Sequence, residues 1–303
     1  MYPDADTIVD RRRLKRRLTF WRIVAVVAVI VGLVALVGDV EDQAFSDYVA
    51  RLDVDGVIFN DRAIEEVLAE AAEDDGAKAL MIFINSPGGT VVGGEALYRA
   101  IRGVAAKKPV VAVMGDTATS AAYMAAIGAD HIVAHAGSVT GSIGVIMQTA
   151  DITGLLEKLG IKPETVKSGA LKAQPNPMEP FDAAARRATA AVINDLHEMF
   201  VDMVRERRDL TSERAKELAD GRIFSGRQAL SIGLIDAIGG ETEGRAWLAD
   251  SHGIDATLQL RNIHEPVEEE IWRRMISGML GKALFSERLK LDGVISLWHP
   301  GVQ

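Results

Sequence analysis

The sequence contains no cysteine among its 303 residues, which excludes disulfides, thiolate metal sites and cysteine nucleophiles. Histidine is scarce, and the six histidines form neither H-E-x-x-H nor any other metal spacing, so we expect no metal site. We expect no cofactor either, because SPGGTVVGG lacks both the Lys-Ser/Thr ending of a P-loop and the G-x-G-x-x-G spacing of a dinucleotide site. These absences disfavour redox and metal chemistry.

Basic residues are outnumbered by acidic residues outside the N-terminus. The chain has 34 Lys and Arg against 43 Asp and Glu, a net charge of -9. Residues 1–22 hold seven Lys and Arg against three Asp and Glu, a balance of +4, which leaves -13 on the remainder. An acidic body of this kind argues against nucleic acid as a partner.

A long apolar stretch follows a basic arm at 1–17; it contains one charged residue, Arg22, and residues 23–38 carry no charge. The apolar residues 18–38 are numerous enough to cross about 30 Å of hydrocarbon as a single-pass transmembrane anchor. The positive-inside rule then predicts an N-terminus in the cytoplasm and a main domain on the periplasmic or extracytoplasmic side of the inner (cytoplasmic) membrane. A cleaved signal peptide is the alternative, but Ala35-Leu36-Val37 is a poor cleavage site and the apolar run is longer than the apolar region of an ordinary signal peptide.

Apolar strands alternate with amphipathic helices after the predicted anchor, which is typical of an α/β domain with a buried parallel sheet. Strands are predicted at 49–58, 78–85, 109–114 and 131–136, and helices at 62–73, 92–106, 120–129, 181–207 and from Thr211, a predicted N-cap, to 219. Active groups of such sheets lie at the carboxyl ends of the strands. SPGG at 86–89 and Thr119-Ser120-Ala121 occupy such ends.

Ser120 and Lys172 each have a local sequence context that suits catalysis. A Gly115-Asp116-Thr117 turn is predicted to lead from a buried strand to Ser120, which places the hydroxyl at a helix N-terminus. Lys172 lies in a loop constrained by one glycine and three prolines. Taken alone, a serine such as Ser120 is more often an N-cap and a lysine such as Lys172 more often a surface charge. Together they indicate a serine hydrolase with a lysine base.

A lysine base and an oxyanion site each make a structural demand. The amine must lose its proton near neutral pH although its reference pKa is about 10.4, and only a buried site supplies that change. The Gly88-Gly89 pair is predicted to open a helix and to present backbone N–H groups to an oxyanion. An ordinary glycine turn between strand and helix is the alternative interpretation.

Five motifs in this order resemble the short form of the signal peptide peptidase SppA family, peptidase family S49: NSPGGT, GDTATSAAYMAA, SVTGSIGV, SGALKAQPNPMEPF and ADGRIFSGRQALSIGLIDAIGG. The resemblance covers about 48–240 and implies the Clp peptidase/crotonase-like spiral of strand-helix units, with assembly into homo-oligomeric rings or domes. It further implies a Ser-Lys dyad. Clp-type peptidases instead carry a histidine about 25 residues beyond the serine, where this chain has Val145, and His131 and His135 come too early.

The resemblance assigns site residues by position. Ser120 corresponds to the nucleophile and Lys172 to the general base, with Lys167 as competitor; Gly169 and Lys172 meet the family's G-x-x-K pattern. The amides of Gly89 and Ala121 correspond to the oxyanion donors. Ser142 corresponds to a serine that orients the lysine amine.

These observations predict a membrane-anchored serine endopeptidase that degrades signal peptides or other hydrophobic peptides. The predicted peptidase domain is 46–245, followed by a C-terminal helical extension at 246–303. Within that extension an amphipathic helix at 267–285 suits oligomerisation or membrane contact. Two alternatives remain: a crotonase-fold acyl-CoA enzyme, and an inactive membrane-anchored oligomeric scaffold.

Overall fold

The computed structural model describes residues 21–27, 29, 47–264 and 295–297. Contacts divide the chain into two units, Met1–Asp47 and Tyr48–Gln303. In the first unit, residues 21–27 and 29 are helical and exposed. No helix within the described ranges combines the length and apolarity that a membrane crossing requires. The predicted arm at 1–17, most of the predicted anchor at 18–38 and the predicted helix at 267–285 lie outside the described residues.

The second unit alternates strands and helices, as the apolar pattern predicted. The strands are β1 (Tyr48–Ile58), β2 (Ala77–Thr90), β3 (Val110–Thr119), β4 (His131–Ala134), β5 (Val139–Gly141), β6 (Ile223–Ser225), β7 (Ala237–Ile238), β8 (Leu260–Asn262) and β9 (Ile295–Leu297). The helices are α1 (Arg62–Glu73), α2 (Val91–Ala105), α3 (Ala121–Ala126), α4 (Thr153–Lys158), α5 (Ala183–Arg207), α6 (Ser212–Leu218), α7 (Gly226–Ser231) and α8 (Glu241–His252).

Local signals set several of these boundaries. The Asp61 side chain accepts from the Ala63 amide at 3.0 Å and caps α1, whose predicted bounds of 62–73 are confirmed. Thr90 caps α2 by accepting from the Gly93 amide at 3.0 Å. Thr211 caps α6, as predicted. Each cap satisfies an amide that the first helical turn leaves without a partner.

The strands form one sheet in the order β6-β5-β3-β2-β1-β8, with β4 beside β3 and β7, and β9 beside β2. The pairs are parallel except β5 with β6 and β2 with β9. Both faces of β3 are buried: Val110, Ala112 and Met114 belong to one apolar cluster, and Val111 and Val113 to another. The predicted α/β class with a sheet covered on both faces is therefore confirmed.

Two central strands run further than predicted. β2 includes SPGGT, so the Gly88-Gly89 pair does not open a helix, which begins only at Val91. β3 continues to Thr119, and the predicted turn at 115–117 is instead a bulge opposite Asn85. Both predictions were wrong because pairing with distant strands decides these residues: Ala118 pairs with Ser86 and also with Thr140. The helix predicted at 120–129 covers only Ala121–Ala126.

The described part of the C-terminal extension joins the main sheet. The predicted boundary between 245 and 246 falls inside α8, whose Leu248 is 1% exposed in the core. β8 pairs in parallel with the start of β1. The predicted helical extension therefore begins, within the described residues, as part of the second unit, because its apolar side chains complete one face of the sheet.

Candidate active site

Ser120 lies at the junction between β3 and α3, where the chain turns sharply. Its backbone has φ 59° and ψ -120°, a conformation that is unfavourable for any residue with a Cβ. Its amide donates to the Gly141 carbonyl oxygen at 2.8 Å, and the residue is 1% exposed. Its side chain makes no cap hydrogen bond to α3. Ser120 therefore occupies the N-cap position of α3 without capping the helix through its side chain. A strained, buried serine between a strand and a helix is also the position of the nucleophile in α/β-hydrolases.

The helix after Ser120 is held rigidly. All six residues of α3 are buried, and the Tyr123 hydroxyl donates to the Leu234 carbonyl oxygen at 2.8 Å. Burial raises the pKa of that tyrosine, which keeps it neutral and fixed as a donor. The small residues let α2 approach closely, since a Cβ on Gly94 would lie 2.9 Å from the Cβ of Ala121.

The strand that carries Gly89 lies beside Ser120. The Thr119 hydroxyl donates to the Pro87 carbonyl oxygen at 3.1 Å, which ties the residue before Ser120 to the SPGG segment. Gly89 pairs with Ile58 of β1 so closely that a Cβ at Gly89 would lie 1.8 Å from the Ile58 carbonyl oxygen. Gly88 has φ 109°, a region open mainly to glycine. The glycine pair is thus required by close backbone packing beside the serine.

β5 holds the opposite side of Ser120. The Thr140 hydroxyl donates to the Ala118 carbonyl oxygen at 2.7 Å. Ser142 follows Gly141, the acceptor of the Ser120 amide; it is buried, has φ 51°, and its amide donates to the Arg222 carbonyl oxygen at 2.8 Å. Strand pairing thus gathers four predicted site residues: Gly89, Ser120, Ala121 and Ser142.

Lys172 takes no part in these contacts. It lies in a turn where its amide donates to the Gly169 carbonyl oxygen at 3.0 Å, and in a single copy of the chain it is exposed to solvent. The loop prediction is confirmed, whereas the burial that a lysine base needs is not present within one chain. The physical reason is that the turn lies outside the sheet and its apolar faces.

Lys167, the competitor, is engaged elsewhere. Its amine forms an ion pair with the Glu179 carboxylate, and the two side chains are 14% and 23% exposed. The Gln174 amide nitrogen donates to the same carboxylate at 2.5 Å. A general base must be available to accept a proton, so this pairing favours Lys172 over Lys167 as the base.

Two hydroxyls near Ser120 were missed at the level of sequence. Thr119 and Thr140 each donate to a backbone carbonyl of a neighbouring strand and lock the strand ends around the serine. Their signal is a threonine directly before the serine in DTATS, and one two residues before Ser142 in VTGS. Threonine in strands is common, so only the strand pairing gives these two a role.

A cleft of about 680 Å³ lies beside the end of β1 and the start of α1. Its lining includes Ile58, the strand partner of Gly89, together with Phe59 and Leu97. No Lys or Arg occurs among the described residues that line it. It is lined by four carboxylates, those of Asp53, Asp55, Asp61 and Glu65. The cleft is therefore acidic and partly apolar.

Comparison with known proteins agrees with this architecture. The model of "Peptidase family S49" matches residues 102–255, a span that contains Ser120, Ser142 and Lys172. The chain belongs to peptidase family S49. The model of "Clp protease" matches residues 42–153, which cover β1 to β5 of this S49 chain.

Individual relatives of this S49 chain carry protease names. It is 36% identical over 233 residues to a protein named as a protease in Synechocystis sp., covering 76% of this chain and 83% of that protein. A protein of Enterococcus faecium named as signal peptide peptidase SppA is 33% identical over 66% of this chain and 62% of its own length. The chloroplastic serine protease SPPA of Arabidopsis thaliana is 35% identical over 58% of this chain, but over only 26% of its own length. Among solved structures, a ClpP1 mutant from Listeria monocytogenes matches with TM-score 0.44 and 17% identity, over 64% of this chain and 93% of its own.

Proposed function

We propose that this S49 protein is a serine endopeptidase that uses Ser120 as nucleophile and Lys172 as general base. The observation that carries the proposal is the strained, buried backbone of Ser120 beside the glycine strand. Strain of this kind persists where surrounding structure enforces it and is concentrated at active sites. The substrates we propose are signal peptides and other apolar peptides.

The chemistry is acyl transfer. Ser120 Oγ attacks the scissile carbonyl carbon while the neutral amine of Lys172 takes the hydroxyl proton and then passes it to the leaving amine. The amides of Gly89 and Ala121 stabilise the developing oxyanion. Water, deprotonated by the same amine, hydrolyses the acyl-enzyme ester and restores Ser120. Ser142 orients the lysine amine.

Pairing between β9 and β2 supports a peptide as substrate. Leu297, Ser296 and Ile295 pair antiparallel with Gly88, Gly89 and Thr90, so an extended segment of the chain lies along the strand that carries the proposed oxyanion donor. A substrate backbone that took the place of β9 would make the same hydrogen bonds to this strand. The cleft beside β1 does not suit the phosphates of an acyl-CoA, because it carries four carboxylates.

The exposure of Lys172 supports a site shared between subunits. A lysine base needs burial, and one copy of the chain leaves Lys172 in solvent. We propose that the chain adopts the Clp peptidase/crotonase-like spiral and assembles into a ring or dome in which a neighbouring copy covers Lys172. Residues 18–38 would anchor each copy in the cytoplasmic membrane, with the catalytic unit on the periplasmic side, as the charge distribution around them favours.

The first test uses the full chain in detergent with signal-peptide-like substrates and a fluorophosphonate probe. We expect hydrolysis, labelling of Ser120, and loss of both in Ser120→Ala. Lys172→Ala and Lys172→Arg should both be inactive, arginine because it keeps its proton throughout the measurable range. Intact substrates across pH 6 to 9, from a protein of native oligomeric state, would reject the peptidase function and favour the inactive scaffold.

The second test asks whether subunits share the dyad. Ser120→Ala and Lys172→Ala proteins are mixed under conditions in which subunits exchange. Shared sites would restore part of the activity, because some interfaces pair an intact serine with an intact lysine. Mixtures that exchange subunits and stay inactive would mean that each dyad forms within one chain.

A further inference from the structure

The segment that carries Lys172 has almost no regular structure of its own. Residues 159–182 contain neither helix nor strand, and Lys172 and Gln174 make short-range backbone bonds to the carbonyls of Gly169 and Leu171. A loop of this length does not hold a side chain at a fixed position unless other contacts tie it down. We name residues 167–179 the lysine loop.

One ion pair closes the lysine loop. Lys167 and Glu179, its two end residues, are joined through their side chains, which are far less exposed than the turn between them. Hydrogen bonding from Lys167 is the main cause that holds the pKa of Glu179 below its usual range. The carboxylate is therefore ionised at neutral pH, and the closure persists wherever the enzyme would be active.

A third side chain connects this pair to Lys172. Gln174, two residues after Lys172, donates through Nε2 to the Glu179 carboxylate at 2.5 Å. Its own amide is bonded to the Leu171 carbonyl oxygen at 3.2 Å, so the turn containing Lys172 is bracketed by fixed groups. The Glu179 carboxylate is thus linked to the Lys172 backbone through the Gln174 side chain, which lies only two residues further along the chain.

Stability alone does not explain the cluster. The Gln174 Oε1 atom is buried and has no hydrogen-bond partner among the described residues, which is costly for a carbonyl group. Partly exposed ion pairs contribute little to stability. The arrangement therefore fixes the turn although the unpaired Gln174 Oε1 atom lowers the stability of the fold.

We propose that Glu179, with Lys167 and Gln174, positions Lys172 for proton transfer; this rests on the proposed function, in which Lys172 is the base. These three are positioning residues, since each acts on the reaction through the backbone that carries Lys172. Misplacement of a catalytic group by about 1 Å can cost on the order of 100-fold in rate. Because the lysine acts in the chemical step, the loss should fall on kcat, with KM changed less than about twofold.

The experiment compares four full-length variants in detergent. Glu179→Gln keeps the shape and removes the charge, Gln174→Met removes the amide but keeps the ion pair, and the exchange Lys167→Glu with Glu179→Lys restores a pair of reversed polarity. Glu241→Gln is the matched control, because it breaks a partly buried ion pair with Arg245 on α8, whose side chains are 41% and 20% exposed. For each variant, kcat, KM, the rate of Ser120 labelling, the thermal midpoint and the oligomeric state are measured.

We expect kcat and the labelling rate to fall about 10- to 100-fold in Glu179→Gln, with the oligomer intact and KM nearly unchanged. Gln174→Met should lose about 3- to 10-fold, the exchanged pair should recover at least part of the loss, and Glu241→Gln should match the wild type. In Glu179→Gln, the pH profile of kcat should have a lower plateau than in the wild type and the same midpoint.

Several results would overturn the proposal. One is a wild-type kcat in both Gln174→Met and Glu179→Gln. Another is a fall in kcat that is accompanied by loss of the oligomer or by a lower thermal midpoint. The third is a pH profile of kcat whose midpoint shifts while its plateau stays unchanged. If Glu179→Gln does not fold, Gln174→Met alone decides, and wild-type kcat in it rejects the positioning role. A wild-type protein that neither hydrolyses peptides nor labels at Ser120 fails differently, because it rejects the proposed function itself.

Discussion

Replacing Gly89 with alanine tests the site most directly, because β1 leaves no space for a side chain there. The added Cβ would lie 1.8 Å from the Ile58 carbonyl oxygen, against 3.0 Å for the tightest real Cβ contacts, so the backbone must move by at least 1.2 Å. The atoms in the way belong to the backbone of Ile58 and cannot rotate aside. Overpacking of this severity costs about 3 kcal/mol, which corresponds to a fall in the thermal midpoint of roughly 6–12 °C for a unit of this size.

The same displacement moves the proposed oxyanion donor. Loss of one such donor lowers kcat by about 10²–10³, so Gly89→Ala should retain less than about 1% of wild-type turnover even where it remains folded. Gly103→Ala is the control, since Gly103 lies in α2 with no atom within 4 Å of its added Cβ. That change should stabilise the helix by about 0.5–1 kcal/mol and leave kcat unchanged.

The assay measures peptide hydrolysis and Ser120 labelling at a temperature where both variants are folded by circular dichroism. A Gly89→Ala protein with wild-type thermal midpoint and wild-type kcat would contradict both expectations. It would mean that the strand pair accommodates the methyl group and that the Gly89 amide has no part in catalysis.

Three further outcomes follow from the geometry. Ser120→Gly should be more stable than Ser120→Ala by about 1 kcal/mol, because relief of about 1–3 kcal/mol of backbone strain exceeds the added flexibility of the unfolded chain; equal urea midpoints for these two inactive variants would contradict the strain. Gly94→Ala should lower kcat at least tenfold with a smaller effect on folding, since its Cβ would lie 2.9 Å from Ala121 and would displace the residue after the nucleophile; turnover and thermal midpoint, measured together, check this. Burial holds the pKa of His131 below its ordinary 6.5, so the unfolded chain binds more protons and stability should fall as the pH drops below about 6.5. His131→Phe, which keeps an aromatic ring stacked on Trp247, should flatten that part of the curve, and an unchanged slope in thermal melts would show that another group causes it.

Sequence reasoning succeeded where a signal and its physical cause lie close together in the chain. α1 was predicted at its observed bounds because Ile64, Val67 and Leu68 lie on one side of a short run. Thr211 was predicted as a cap because it directly precedes a helical segment. The motifs around Ser120 also indicated the family correctly, since family S49 is confirmed by comparison. The functional assignments of Lys172, Gly89, Ala121 and Ser142 stay predictions.

Reasoning from the sequence failed where a distant strand competes with a local preference. Gly115-Asp116-Thr117 has the composition of a turn, yet Thr117 pairs with Val139 and the segment becomes a bulge. SPGGT has the composition of a loop, yet β1 and β9 pair with it on two sides. Local propensity is worth less than a row of backbone hydrogen bonds in a buried sheet.

The alternation of strands and helices, the cap at Thr211 and the chemical groups available could be predicted from the sequence, because they depend on side chains within a few residues of one another. The strained backbone of Ser120 could not be predicted in this way, because its conformation comes from the pairing of β3 with β5 at Gly141. The tertiary structure likewise decided that Lys167 is paired and Lys172 is exposed. Lys167 and not Lys172 pairs with a carboxylate because of the way the loop folds back on itself, and residue spacing does not predict that path.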